Sequence, residues 1–134
     1  MTPRPRSLGL VLCERIIVEE GTGQPSLISV FSGLEAATFP TQPVRFSAYF
    51  VLTGGTGSGR IEMRVFQIAT GDQIYVRRGR ITFPDRTDIV NSFFRIRSIR
   101  FPSPGFYVFQ IFIDDEPIEG AERRIRVRRT RSVS

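Results

Sequence analysis

The sequence contains no His, no Lys and no Trp, and a single Cys among its 134 residues. Each absence removes a class of chemistry. Without imidazole there is no histidine general acid or base, no His-bearing triad and no His-bearing zinc site. Without a side-chain amine there is no Schiff-base lysine. Cys13 by itself forms neither an intramolecular disulfide nor an all-cysteine zinc or iron–sulfur centre within one chain. What remains belongs to carboxylates, Ser, Tyr and Cys13. Cys13 stands in an apolar run, where burial raises a thiol's pKa and leaves the residue a small hydrophobe. The expectation is a protein that is not an enzyme and uses no cofactor.

Long apolar runs are missing as well. The run Leu8–Cys13 is six residues long and ends at Glu14-Arg15. It is too short for the apolar region of a signal peptide and far too short to span a membrane. Leu10-Val11-Leu12-Cys13 has the outline of a lipoprotein cleavage site, but Leu12 is too large for the small residue such a site wants before its Cys. With the unpaired cysteine, these features predict a cytoplasmic protein without membrane contact.

All 19 basic residues are Arg, and the net charge is +6. Residues 1–122 hold 13 Arg against 13 Asp plus Glu, whereas residues 123–134 hold six Arg and no acid. The excess charge therefore sits at the C-terminal end of a neutral body.

Apolar residues, 12 Phe among them, recur in short runs between Gly- and Pro-rich punctuation. Period-two alternation is clearest over 44–52, where Val44, Phe46, Ala48, Phe50 and Leu52 share a face. It recurs over 106–113 (Tyr107, Phe109, Ile111, Ile113), over 61–65 (Ile61, Met63, Val65) and over 123–128 (Ile125, Val127). The phase slip at Phe66 and Ile68 predicts a bulge or a twist. Segments 8–18 and 27–34 read as strands buried on both faces, and further strands are expected at 73–83 and 89–101. Turns fall at 19–25, 70–72, 84–86, 102–105 and 114–117, and the glycine run 54–59 reads as a hairpin tip. About eight strands at this spacing predict an all-β fold, a two-sheet antiparallel β-sandwich, immunoglobulin-like in a broad sense. One domain is expected over 7–129, with disordered tails at 1–6 and 130–134.

The carrying features are Leu12-Cys13-Glu14 before an apolar strand, then Leu27-Ile28-Ser29-Val30-Phe31, Phe39-Pro40 leading into 44–52, and Pro104-Gly105-Phe106-Tyr107. With these, the chain resembles a family of small uncharacterised bacterial β-sandwich domains, over most of residues 8–129. The resemblance implies a bacterial source and a sandwich fold, and brings no activity or site residue with it. Gly105-Phe106-Tyr107 is also similar to the tyrosine corner of immunoglobulin-like sandwiches, in which a Tyr bonds back to the corner backbone.

Three constellations bear on function. Asp114, Asp115 and Glu116, with Asp72, Asp85 and Asp88 in other turns, would hold Ca²⁺ only if their loops converge. The glycine run lacks the Lys-Ser/Thr ending of a phosphate loop. The sharpest feature is Arg123, Arg124, Arg126, Arg128, Arg129 and Arg131. These residues either contact a polyanion or guard the edge of a last strand against unwanted pairing. Arg77, Arg78 and Arg80, with Arg95, Arg97 and Arg100, would extend the surface if their strands lie beside the last one. The aromatic residues read as core, without a base-stacking platform. Edge protection is the simpler reading of the arginines. The leading expectation is therefore a non-catalytic binding or scaffold module. Its partner is a protein or a second copy of itself, and no small-molecule substrate is indicated. Nucleic acid held by the Arg-rich end is the alternative.

Overall fold

The computed structural model describes residues 4–130, and every regular element in it is a strand. The nine strands are β1 (Arg6–Val18), β2 (Pro25–Phe31), β3 (Gly33–Ala36), β4 (Val44–Thr53), β5 (Gly57–Gln67), β6 (Gln73–Phe83), β7 (Ile89–Ile99), β8 (Gly105–Ile113) and β9 (Glu116–Arg129). The all-β expectation is met. Residues 1–3 and 131–134, which include half of the expected N-terminal tail, most of the expected C-terminal tail and Arg131, lie outside the described residues.

The two-sheet antiparallel arrangement is corrected. The strands form one mixed sheet in the order β6-β5-β8-β9-β1-β4-β7, with β2 added to β1 and β3 added to β9. β9 is the cause. Alternation in the sequence starts it at 123, but it begins at Glu116, and its early part reaches β1, where Arg6 pairs with Glu119 in parallel. The early half was hidden from periodicity. Inward residues Ile118 and Ala121 are three apart rather than two, because a bulge falls at Gly120, whose φ is +77°. β1 and β9 then diverge. Into the gap run β2, antiparallel to β1, and β3, parallel to β9 over Gly33–Ala36.

The outer strands of this order, β6 and β7, come together to make a nearly closed barrel. Their seam is made by side chains: a Cβ on Gly79 would stand 3.1 Å from the Phe94 ring, so the missing side chain makes room for it. Inside, Phe46 of β4 meets Phe109 of β8 edge-on at 5.7 Å, and Phe50 lies 5.5 Å from Phe94. Phe46, Phe50, Phe94 and Phe109 all belong to one buried core with Leu12, Met63 and Ile111. Burial of such side chains, about 1.5–3 kcal/mol each, drives the assembly.

Other local expectations sort by what lies on each side of the strand. The bulge near Phe66 is present, since the β5–β6 register shifts between Val65 and Phe66. The expectation that 8–18 and 27–34 are buried on both faces is corrected: Leu8, Ile17, Val18 and Val30 are exposed. Among the described residues β1 pairs with β4 only as far as Cys13↔Ser47, and β2 pairs only with β1, so this hairpin has a neighbour on one side. The glycine run is not a hairpin tip, because Gly57–Gly59 belong to β5 and β4 does not pair with β5. It is a crossover, and it is tight: a Cβ on Gly55 would lie 2.6 Å from the Phe83 ring. The tyrosine-corner geometry is present. The buried Tyr107 hydroxyl donates to the Ser103 carbonyl at 2.5 Å and accepts from the Ser103 N–H at 3.3 Å.

Candidate polyanion-binding face

β9 alternates Ile125 and Val127 inward with Arg124, Arg126 and Arg128 outward. This divides the arginine cluster by phase. Arg124, Arg126 and Arg128 share the outer face. Arg123, opposite the buried Phe109, lies on the inward phase yet is exposed, because there β9 has β8 on one side only. Arg129 anchors the segment after β3. Its Nη1 donates to the Ala37 carbonyl at 3.2 Å, and the guanidinium lies 5.1 Å from the Phe39 ring centre.

The β8 partner of Arg126 is Phe106, and the partner of Arg124 is Val108. Phe106 is 46% exposed, in a sheet position whose neighbours are cationic. The guanidinium carbons of Arg126 and Arg124 lie 5.4 and 6.0 Å from its ring centre. Phe106, Arg126, Arg128, Arg129 and Glu35 line an open cleft of about 730 Å³. Among the described residues, none of Arg123, Arg124, Arg126, Arg128 and Arg129 forms an ion pair. Glu122, the acid nearest along the strand, has its carboxylate bonded by Gln110 at 2.6 Å.

The other end of the same outer face supplies a contrast within one molecule. Arg64 lies 4.0 Å over the Phe112 ring, but its guanidinium is held by Glu62 at 3.1 Å and Asp115 at 2.9 Å. Arg60 joins Asp115 at 3.1 Å, and Arg78 approaches Glu62 at 3.8 Å. Two Arg-on-Phe arrangements thus stand on one surface. One is closed by carboxylates; the other is left open to an anion from outside.

Residues 8–128 match the model of DUF6941, a family of unknown function. The chain belongs to DUF6941. The resemblance to an uncharacterised domain family is therefore confirmed. No curated protein matches this DUF6941 chain. Among solved structures it is similar to Pseudomonas fluorescens alkylpurine DNA glycosylase AlkC bound to DNA containing an abasic site analog, with 10% identity and a TM-score of 0.39. The match covers 89% of this chain and 30% of that one, so the chain spans under a third of that protein's length.

The remaining candidates of the DUF6941 chain resolve geometrically. Among the described residues no three His, Cys, Asp or Glu side chains converge as metal ligands. Asp114 instead accepts the Arg60 N–H at 3.0 Å, and Asp85 accepts from Thr87, which holds its carboxyl below the usual range. Cys13 is buried, and burial pushes its thiol pKa up against a smaller opposing effect from the Ile28 backbone. Arg77, Arg78 and Arg80 of β6, and Arg95 and Arg97 of β7, do not extend the β9 surface, because each strand stands three places from β9 in the sheet order. Sequence reasoning missed Phe106. Tyr107, its neighbour, faces the core, and period two alone therefore places Phe106 outside; its spacing from Arg126 follows only from the β8–β9 register.

Proposed function

We propose that this chain is a non-catalytic binding module that holds a single-stranded nucleic acid on the outer face of β8 and β9. The observation that carries the proposal is the exposed Phe106 between Arg124 and Arg126, whose charges meet no carboxylate among the described residues. A base stacks on the ring, and the arginines take the flanking phosphates. Stacking accepts any base, so the predicted binding is weakly sequence-dependent and strongly salt-dependent. A titration of labelled single-stranded oligonucleotide at several salt concentrations tests this. Arg124→Gln with Arg126→Gln should flatten the log–log salt slope by roughly 1.4, at about 0.7 for each phosphate no longer neutralised. Unchanged affinity and slope in that variant, or no binding at low salt, would overturn the proposal.

A second reading rests on the β1–β2 hairpin. Ile17, Val18 and Val30 are exposed there, and among the described residues β2 pairs only with β1. This apolar edge supports a scaffold role through protein–protein contact or self-association. Sedimentation of the wild type and of Val30→Lys decides it: a dimer that dissociates on substitution supports self-association, and a wild-type monomer rules it out.

A further inference from the structure

We infer that the outer face of β1, β4 and β7, on the other side of the barrel, is a second single-stranded nucleic-acid site. It shares the ligand chemistry proposed for β9 and rests on different residues. Side chains alternate along a strand, and paired residues point to the same side. Leu10, Leu12, Ala48, Phe50, Phe94 and Ile96 are buried inward, so their neighbours face outward. On that outer face Tyr49 is paired directly with Phe93, placing two half-buried aromatic side chains on adjacent central strands. The next row pairs Ser47 with Arg95, whose guanidinium carbon is 5.6 Å from the Phe93 ring centre. Arg15, Arg45 and Arg97, all exposed, continue the basic end on the same three strands.

No Asp or Glu occupies an outward position of β1, β4 or β7 between Val11 and Arg15, Arg45 and Val51, or Asn91 and Arg97. Charge complementarity therefore asks for an anion, and the aromatic pair asks for one with planar groups. Adjacent strands stand about 4.8 Å apart, so two rings in one row offer neighbouring stacking surfaces. Bases inside a duplex cannot reach them; unpaired bases can. An acidic peptide would use the arginines and leave the rings unexplained.

The test uses a short oligothymidylate, labelled for anisotropy and unlabelled for intrinsic fluorescence. Tyr49 is one of three Tyr in a chain without Trp, and Tyr107 is buried, so base stacking at Tyr49 quenches a resolvable part of the emission. The expected result is two oligomers per wild-type chain. One should be lost, together with the quenching, in Tyr49→Thr/Phe93→Thr. The other should be lost, with quenching kept, in Phe106→Ala/Arg124→Gln/Arg126→Gln. Should the aromatic variant fail to fold by circular dichroism, Arg95→Gln/Arg97→Gln decides, because it alters only exposed side chains. One oligomer per chain, abolished by the β9 substitutions, would overturn this second site and leave the proposed function standing. Binding abolished only by the sheet-face substitutions would support this site and remove the β9 reading. Folded sheet-face variants that keep both oligomers would overturn the inference, as would displacement by polyglutamate as efficient as by oligothymidylate. No binding in any protein would overturn both.

Discussion

Arg126 stands directly across the β8–β9 ladder from Phe106, its guanidinium carbon 5.4 Å from the ring centre. Neither residue faces the core, and no carboxylate among the described residues pairs with the cation. A planar guanidinium can stack on the ring and present its fork to a phosphate; an ammonium keeps the charge but loses the plane. Arg126→Lys should therefore leave the salt slope of oligonucleotide binding unchanged while weakening affinity by about 0.5–1 kcal/mol. An affinity unchanged along with the slope would show that Arg126 acts as a point charge alone.

Phe106→Ala removes the stacking surface without changing charge. The expected loss is about 1–3 kcal/mol of binding free energy with an unchanged salt slope and an unchanged melting temperature. Anisotropy and thermal melting together check this. A lowered melting temperature would mean that the ring is structural.

Tyr107 ties the β7–β8 crossover to the barrel through both backbone groups of Ser103, and its ring packs at 4.8 Å on Phe101. Tyr107→Phe preserves the packing and leaves the two backbone groups unpaired. The expected cost is about 1–3 kcal/mol, read as a lower urea midpoint at constant m.

Gly55 is held to hydrogen by Phe83, whose ring would lie 2.6 Å from an added Cβ. Gly55→Ala should destabilise by about 1–3 kcal/mol through overpacking. Adding Phe83→Leu should recover part of the loss. Two losses that simply add in a double-mutant cycle would show that the ring is not the obstacle.

Burial raises the Cys13 thiol pKa, so the folded state favours the protonated form. Its stabilising contribution is complete below the thiol pKa of the unfolded chain. It fades as pH rises through the higher folded value, because only the unfolded chain has then released its proton. Native protein at mildly alkaline pH should resist iodoacetamide until denaturant is added, and Cys13→Ala should remove this part of the alkaline fall in stability. Rapid native alkylation would show an accessible thiolate.

Strand identity was legible wherever one face met the core. Over 44–52 and 106–113 the inward set reads directly as every second residue, and the structure buries Phe46, Ala48, Phe50 and Leu52, and Tyr107, Phe109, Ile111 and Ile113. The early half of β9 was not legible. Pro117, Gly120 and three Glu read as loop, and the bulge breaks the period. β3, four residues long, merged with β2 in the sequence, where the bend at Ser32 that moves the chain from β1 to β9 leaves no Gly-Pro signature before Gly33.

The basic C-terminal end, the all-β class and the absence of imidazole and amine chemistry follow from the sequence alone, because composition and short-range alternation are local properties. Which arginines share a surface does not. Arg124 and Arg126 bracket Phe106 through a register set between strands, and Arg95 and Arg97 lie with Tyr49 and Phe93 because β7 pairs with β4 and not with β9. Pairing and register arise from which inward faces can be buried together. Only the nearly closed barrel decides that, and it thereby decides which outward residues become neighbours.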